Sequence, residues 1–168
     1  ARALGRLIDG AQMLAVPGGF AGGDGPAGSA KFIVSFLRSP RGAEALAGLL
    51  QQRDGLACGS CNGFQALVKL GLLPWGEIRD ATPDSPTLTY NTIGRHQSGM
   101  VRTRVASNKS PWLCHMQPGE VYVVPVSHGE GRFVAGEDLV RGLAPNGQVD
   151  TQYVDYDGNA AQEIRVTP

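Results

Sequence analysis

The sequence predicts an α/β fold with an open, mainly parallel sheet and helices on both faces. Two apolar runs, Met13–Val16 and residues 55–60, each lead into glycine-containing segments, as buried strands do where they enter a turn. Segments of helical periodicity flank both runs, so the predicted order is helix, strand, helix, helix, strand, helix. This alternation is typical of doubly wound parallel sheets.

Two helices are predicted around the first strand. Leu7 and Ile8 indicate the end of a helix just before it. Ser29 is a suitable cap for the next helix, which is expected to end near Pro40. The apolar face of this second helix is expected to hold Phe32, Ile33, Phe36 and Leu37.

Two further helices are predicted around the second strand. One covers residues 43–52 and the other covers residues 62–70. In the latter, Phe64, Leu67 and Val68 recur at helical spacing and are expected to face inward. These helices complete the alternation that parallel strands require.

The second half of the chain has the pattern of loops and short strands. Residues 80–99 are polar and contain prolines, which indicates loops with short strands. Val101, Thr103 and Val105 alternate with polar or small residues, as in a half-exposed strand. The remaining predictions are a strong strand at residues 121–126, a short helix at 137–143 and strand fragments at 153–157 and 163–166.

The composition limits the classes of protein to which the chain can belong. The chain has 168 residues, enough for one domain over residues 1–168 with a substantial core. Only 18% of the residues are charged, below the roughly 25% usual in soluble domains. The formal net charge is zero and there is no basic stripe, so nothing favours nucleic acid as a partner. No apolar run approaches the ~18 residues that span a bilayer, so no membrane association is expected.

The cysteines favour a reducing compartment and no metal. There are three of them, and an odd number argues against a disulfide framework, so we expect a cytoplasmic protein. Cys58 and Cys61 have the spacing of a zinc or redox pair. A zinc site needs a second pair, and the adjacent Cys114 and His115 do not have that spacing. Zinc-binding and thioredoxin-like interpretations are therefore both disfavoured.

The segment from Gly59 to Gly63 has the pattern of a nucleophile elbow, with Cys61 as the nucleophile. A buried strand enters this segment and an amphipathic helix leaves it, and glycines stand two residues before and after the cysteine. A helix N-terminus stabilises negative charge, which suits a thiolate. The backbone N–H of Asn62 is expected to face a developing oxyanion. The alternative is a buried cysteine between two turn glycines.

Two other segments provide context. Gly18 and Gly19 follow the first strand, and a glycine loop there can supply a second oxyanion donor, although an ordinary turn has the same pattern. His128 and Glu130 follow the strand at 121–126 and could form a base and its orienting group. Since neighbouring positions usually point in different directions, a substrate-binding or structural role is favoured for His128. His96 and His115 are expected to be ordinary surface or loop histidines.

Three segments together resemble the class I glutamine amidotransferases, and among them the glutaminase region of formylglycinamide ribonucleotide amidotransferases. They are Pro17-Gly18-Gly19-Phe20-Ala21-Gly22-Gly23-Asp24, Cys61-Asn62-Gly63-Phe64-Gln65 and Ser127-His128-Gly129-Glu130-Gly131-Arg132. Residues 107–112 are also similar to a family segment, so the resemblance covers roughly residues 10–168. Its implied fold is the flavodoxin-like one of that class.

The resemblance implies a mechanism and a set of site residues. Cys61 is expected to attack the side-chain amide of glutamine and form a γ-glutamyl thioester, releasing ammonia. Gly19 and Asn62 are expected to supply the oxyanion hole. The glutamine pocket is expected to include Gly18, Phe20, Gln65, Ser127, His128, Gly129 and Glu130. The implied partner is a synthetase domain or subunit, which takes the ammonia and holds ATP and Mg²⁺, and this domain is expected to need no cofactor or metal.

The sequence departs from the family at both ends. The family completes its catalytic triad with a His-x-Glu pair in a Pro-His-Pro-Glu-Arg-like motif, which does not occur in this sequence. An opening strand is also missing, so the domain is expected to be incomplete at both termini. Two alternatives stay open: a catalytically incomplete scaffold of the same fold, and another hydrolase with a cysteine elbow.

Overall fold

The computed structural model describes residues 2–19 and 30–161, and the chain divides into two compact units, Ala1–Leu88 and Thr89–Pro168. The prediction of one domain over the whole chain stays a prediction. The cap at Ser29, the site residue Phe20 and the strand fragment at 163–166 lie outside the described residues.

The first unit contains the predicted alternation of helices and strands. Its parallel pair aligns Met13 with Leu56 and Val16 with Gly59, so both strands end at the same edge. The elements are α1 (Arg2–Asp9), β1 (Met13–Val16), α2 (Lys31–Leu37), α3 (Pro40–Ala47), a π-helical turn (Gly48–Gln52), β2 (Leu56–Gly59), α4 (Asn62–Leu70) and α5 (Leu72–Trp75). The α/β class and the helix at 62–70 are confirmed.

The core of this unit is aliphatic. Leu46, Leu49 and Leu70 are fully buried, and they form one cluster with residues of α1, β1 and α2. Ser39 explains where α3 begins: its Oγ accepts a hydrogen bond from the Gly42 N–H at 3.3 Å, and Pro40 stands in the first turn. The predicted helix at 43–52 therefore begins three residues earlier, and its last turn is π-helical.

One packing prediction is only half right. Leu37 is buried, but Phe32 and Phe36 are 64% and 42% exposed. They are four residues apart and so share one face of α2. The helix has two turns, and the side packed on the core is that of Leu37, with partly buried Ile33 and Val34.

The second unit is built on an antiparallel sheet. The elements after α5 are β3 (Thr87–Thr89), which crosses the boundary between the units along the chain, β4 (Gln97–Val105), β5 (Val121–His128), β6 (Arg132–Val134), α6 (Glu137–Leu143) and β7 (Thr151–Val154). The strand order of the sheet is β5-β4-β7, so β4 is central. Val101, Thr103 and Val105 are buried along β4, as their alternation predicts. One buried face is typical of antiparallel sheets, and parallel pairing is confined to β1 and β2 among the strand pairs described.

Neither a membrane-spanning helix nor a metal-binding cluster is found among the described residues. Within residues 2–19 and 30–161, no helix combines the length and the apolar character that crossing a membrane requires. Over the same residues, no group of three or more His, Cys, Asp or Glu side chains is arranged to hold a metal ion.

Candidate functional site

Cys61 occupies the turn between β2 and α4 with an unusual backbone. Its φ is 53° and its ψ is −116°, and its side chain is exposed. A positive φ is uncommon for a residue with a Cβ and costs about 1–3 kcal/mol unless the surrounding structure imposes it. The turn presents the sulfur at the carboxyl end of a parallel strand, where ligands bind in α/β sheets.

The two glycines of the elbow are required by close backbone contacts. A Cβ on Gly59 would lie 2.6 Å from the carbonyl carbon of Gly63. A Cβ on Gly63 would overlap the carbonyl group of Val16 in β1. The first turn of α4 can therefore pack against the ends of β1 and β2 only without side chains at these positions.

Backbone hydrogen bonds hold the turn. The Ser60 N–H donates to the Val16 carbonyl at 3.0 Å, and the Gly63 N–H donates to the Ser60 carbonyl at 2.9 Å. One turn of helix further on, the Gln65 N–H donates to the carbonyl of Cys61 at 3.1 Å. The position of the sulfur is therefore set by main-chain groups of β1, β2 and α4.

Asn62 begins α4 and is almost fully buried, with 4% of its surface exposed. As the first helical residue, it carries an N–H that has no acceptor within the helix. Its side-chain Oδ1 is buried and has no hydrogen-bond partner among the described residues. A backbone donor thus lies directly beside the sulfur-bearing residue.

The glycine loop after β1 meets the elbow. A Cβ on Gly18 would lie 2.7 Å from the Cβ of Cys61 and 3.4 Å from its Sγ. Gly19 has a φ of 148° and has open space where a side chain would stand. The structure therefore brings together Gly18 and Cys61, which the sequence placed at the carboxyl ends of neighbouring strands.

In the second unit, Asn91 organises the segment after β5. Its buried side chain makes four hydrogen bonds: Nδ2 donates to the carbonyls of Arg95 (3.0 Å) and His128 (2.8 Å), and Oδ1 meets His128 Nδ1 (2.9 Å) and the Gly131 N–H (3.3 Å). Its backbone N–H donates to the carbonyl of Gly129 at 2.9 Å. No local sequence pattern identifies Asn91, which stands alone in a loop 37 residues before His128.

This arrangement assigns the tautomer of His128. The amide hydrogens of Asn91 face two carbonyls, so Oδ1 faces the imidazole and accepts. Nδ1 of His128 therefore carries the hydrogen, and Nε2 of the neutral ring holds the lone pair. Burial lowers the pKa of His128, and the nearby His96 lowers that pKa further by charge repulsion.

Ser127, the last residue but one of β5, lies in a polar cluster. Its Oγ is 2.9 Å from His96 Nε2 and 2.9 Å from the Oγ of Ser98. His96 lies in an exposed loop, as the sequence predicts. It nevertheless has a partner, because β4 pairs with β5 so that Ser98 stands opposite Ser127, and His96 precedes Ser98 by two residues.

The predicted site residues thus form two groups, each within one unit. Gly18, Gly19, Cys61, Asn62 and Gln65 lie around the ends of β1 and β2 in the first unit. Ser127 and His128 end β5, and Gly129 and Glu130 form the connection to β6, in the second unit. Their roles in catalysis stay predictions.

A family model described as the CobB/CobQ-like glutamine amidotransferase domain matches residues 4–168. The chain belongs to this family. Phosphoribosylformylglycinamidine synthase subunit PurQ of Symbiobacterium thermophilum is 37% identical to it over 147 residues, which are 88% of this chain and 55% of that protein. The PurQ subunit of Chlorobaculum tepidum is 35% identical over 156 residues, 93% of this chain and 59% of that protein.

A solved structure supports the assignment of this amidotransferase domain. It is described as the structure of PurLQS from Thermotoga maritima, and it matches with a TM-score of 0.63 and 27% identity over 89% of this chain and 61% of that one. The chain thus spans about 55–64% of the length of the curated relatives it matches.

Proposed function

We propose that this chain is the glutamine-hydrolysing part of a phosphoribosylformylglycinamidine synthase, with Cys61 as its nucleophile. The observation that carries the proposal is the strained, exposed Cys61 at the end of β2, in contact range of the glycine loop after β1. Membership of the amidotransferase family and the similarity to PurQ proteins support the choice of glutamine.

In the proposed reaction, the Cys61 thiolate attacks the side-chain carbonyl carbon of glutamine. The C–N bond of the resulting tetrahedral intermediate breaks, and the nitrogen takes a proton and leaves as ammonia. The γ-glutamyl thioester that remains is hydrolysed by water to glutamate and the free cysteine. The backbone N–H groups of Gly19 and Asn62 are proposed to stabilise the oxyanion in both steps.

The other predicted residues are proposed to bind glutamine. Gln65 follows Cys61 by one helical turn. The segment after β5 offers polar groups that hydrogen bonds to Asn91 hold in place. The residues proposed for this role are Gly18, Phe20, Gln65, Ser127, His128, Gly129 and Glu130. The ammonia is proposed to pass, in the cytoplasm, to a synthetase partner that holds ATP and Mg²⁺, with no cofactor in the amidotransferase domain itself.

Covalent labelling tests the nucleophile. The intact protein is treated with a glutamine analogue that carries an electrophile at the amide position, and the adduct is located by peptide mass spectrometry. We expect one adduct on Cys61, and none in the Cys61→Ala variant. Cys114→Ala is the matched control, because Cys114 is also exposed, and it should label like the unaltered protein.

Two outcomes contradict the proposal. An adduct on Cys58 or Cys114 with Cys61 unmodified would exclude Cys61 as the nucleophile. The absence of any adduct that free glutamine competes away would favour the non-catalytic scaffold instead.

A further inference from the structure

The hydroxyl of Ser127, which is proposed to bind glutamine, has two side-chain partners. Its Oγ lies 2.9 Å from His96 Nε2 and 2.9 Å from the Oγ of Ser98. All three residues are exposed. A serine side chain surrounded only by solvent populates several staggered rotamers, and two partners at hydrogen-bonding distance favour one of them. The direction of this hydroxyl is therefore restricted before any ligand binds.

The strand register explains why these three side chains meet. Ser98 in β4 stands directly opposite Ser127 in β5, and directly opposed residues on one face are the pairs that interact in antiparallel sheets. His96 precedes Ser98 by two residues, a spacing that keeps two side chains of an extended chain on the same side. The cluster is therefore a product of the pairing of β4 with β5.

The backbone that carries His96 is fixed by Asn91. The Gly94 N–H donates to the carbonyl of Asn91 at 3.0 Å, and Asn91 Nδ2 donates to the carbonyl of Arg95 at 3.0 Å. The backbone N–H of Asn91 donates to the carbonyl of Gly129 at 2.9 Å. The loop before β4 is thus tied to the segment after β5, so the imidazole does not have to be ordered when a ligand binds.

The ring of His96 also borders the residues that follow Ser127. A Cβ on Gly129 would lie 4.0 Å from Nδ1 of His96, so glycine at this position leaves the space beside the ring open. Burial is the larger cause that lowers the pKa of His128, and the charge of His96 is the second. One imidazole therefore lies close to three consecutive residues that are proposed to bind glutamine.

The hydroxyl of Ser127 keeps one hydrogen-bonding position for a ligand. A serine hydroxyl has one hydrogen to donate and two lone pairs that accept. His96 and Ser98 occupy two of these three positions. Because the positions have fixed angles around the oxygen, the two partners also set the direction of the third.

We propose that His96 and Ser98 are positioning residues for glutamine binding, which hold the Ser127 hydroxyl in the direction in which it bonds the substrate. Both act through Ser127 and neither touches the reacting atoms. The inference rests on the proposed glutaminase function, because that function assigns Ser127 to the substrate. It extends the glutamine site from the segment after β5 to the beginning of β4.

The kinetics of Cys61 labelling test the inference on the intact protein. The probe is the diazoketone analogue of glutamine, and the labelling rate at increasing probe concentration gives a half-saturation concentration and a limiting rate. His96→Phe keeps a flat ring but removes the nitrogen that meets Ser127. We expect the half-saturation concentration to rise about fivefold. The limiting rate should change by less than about twofold, because the lost bond is not made to the reacting atoms.

Two further variants separate the hydrogen bond from the ring. His96→Gln places an amide nitrogen near the position of Nε2, so it should restore most of the affinity lost in His96→Phe. His115→Phe is the matched control, because His115 is exposed and lies outside the cluster. Its half-saturation concentration should stay within about twofold of that of the unaltered protein.

Ser98 gives an independent variant if His96→Phe does not fold. Ser98→Ala removes the second partner of Ser127 and should raise the half-saturation concentration about twofold to fivefold. Ser98→Thr keeps a hydroxyl on a strand position that suits a β-branched residue, and it should bind the probe as the unaltered protein does.

A double-mutant cycle shows whether His96 acts through Ser127. In the Ser127→Ala background, His96→Phe should have almost no further effect, because the hydroxyl that it positions is gone. The inference is overturned if the two effects multiply, if His96→Phe leaves the half-saturation concentration unchanged, or if it lowers the limiting rate instead. If the unaltered protein takes no label that glutamine competes away, the glutaminase proposal itself fails and this inference fails with it.

Discussion

The elbow in the first unit and the segment after β5 in the second unit are held in place by different means. Around Cys61, the main chain does the positioning: three backbone hydrogen bonds and two glycines without space for a Cβ. Around His128, one side chain does it, since Asn91 makes four hydrogen bonds to its surroundings. The elbow should therefore be disrupted by substitutions that add atoms at the glycines. The segment after β5 should be disrupted by substitutions that remove the Asn91 amide.

The largest expected effect tests the first half of this comparison. Gly63→Ala places a methyl group on the carbonyl of Val16, where only backbone could move aside. We expect a loss of about 3 kcal/mol in the free energy of unfolding, measured by denaturant titration. Gly10→Ala is the control, because its nearest neighbours to an added Cβ are 3.9 Å away. Equal stability of the two variants would show that the elbow can relax.

A somewhat smaller effect tests the second half. Asn91→Ala removes four hydrogen bonds and leaves buried partners unsatisfied, so we expect a loss of about 2–3 kcal/mol. Asn108→Ala removes one exposed bond of 3.2 Å to the Met116 carbonyl and should cost less than about 0.5 kcal/mol. If the two variants unfolded alike in urea, Asn91 would not be the organising residue.

The smallest effect concerns pH. The pKa of His128 is lowered in the folded state, so between that value and the unfolded value of about 6.5 the unfolded chain binds more protons. The contribution of His128 to the stability of the folded state is therefore complete above the unfolded pKa and is lost as the pH falls. When the pH is lowered from 7.5 to 5, the unfolding midpoint should fall more in the unaltered protein than in the His128→Gln variant.

An NMR titration separates the two causes of the His128 shift. Replacing His96 by Gln removes the charge repulsion but leaves the burial, so the pKa of His128 should rise and still lie below its ordinary value. Full recovery of the ordinary value would mean that burial is not the larger cause.

The same contrast explains what the sequence could predict. The elbow could be recognised because its constraints are local: a strand, two glycines two residues from Cys61, and a helix at Asn62–Leu70. Asn91 could not be recognised, because its hydrogen bonds depend on a loop meeting a strand end 37 residues later. The partner of His96 could not be recognised for the same reason, since the register of β4 against β5 decides its neighbour.

The sequence also could not predict which face of α2 is exposed. Phe32 and Phe36 have helical spacing equally suited to burial, and nothing local shows that Leu37 marks the side packed on the core. Periodicity identifies an apolar face, but the tertiary contacts decide which one is covered. β4 differs in that the alternation of Val101, Thr103 and Val105 alone indicated its buried face.

The backbone at Cys61 has a consequence for stability. A positive φ is unfavourable for a residue with a Cβ, so the fold carries the penalty whether or not a ligand is bound. Glycine at position 61 would relieve the penalty but would remove the sulfur. The exposed thiol at the end of β2 is therefore held in place at the expense of folding free energy.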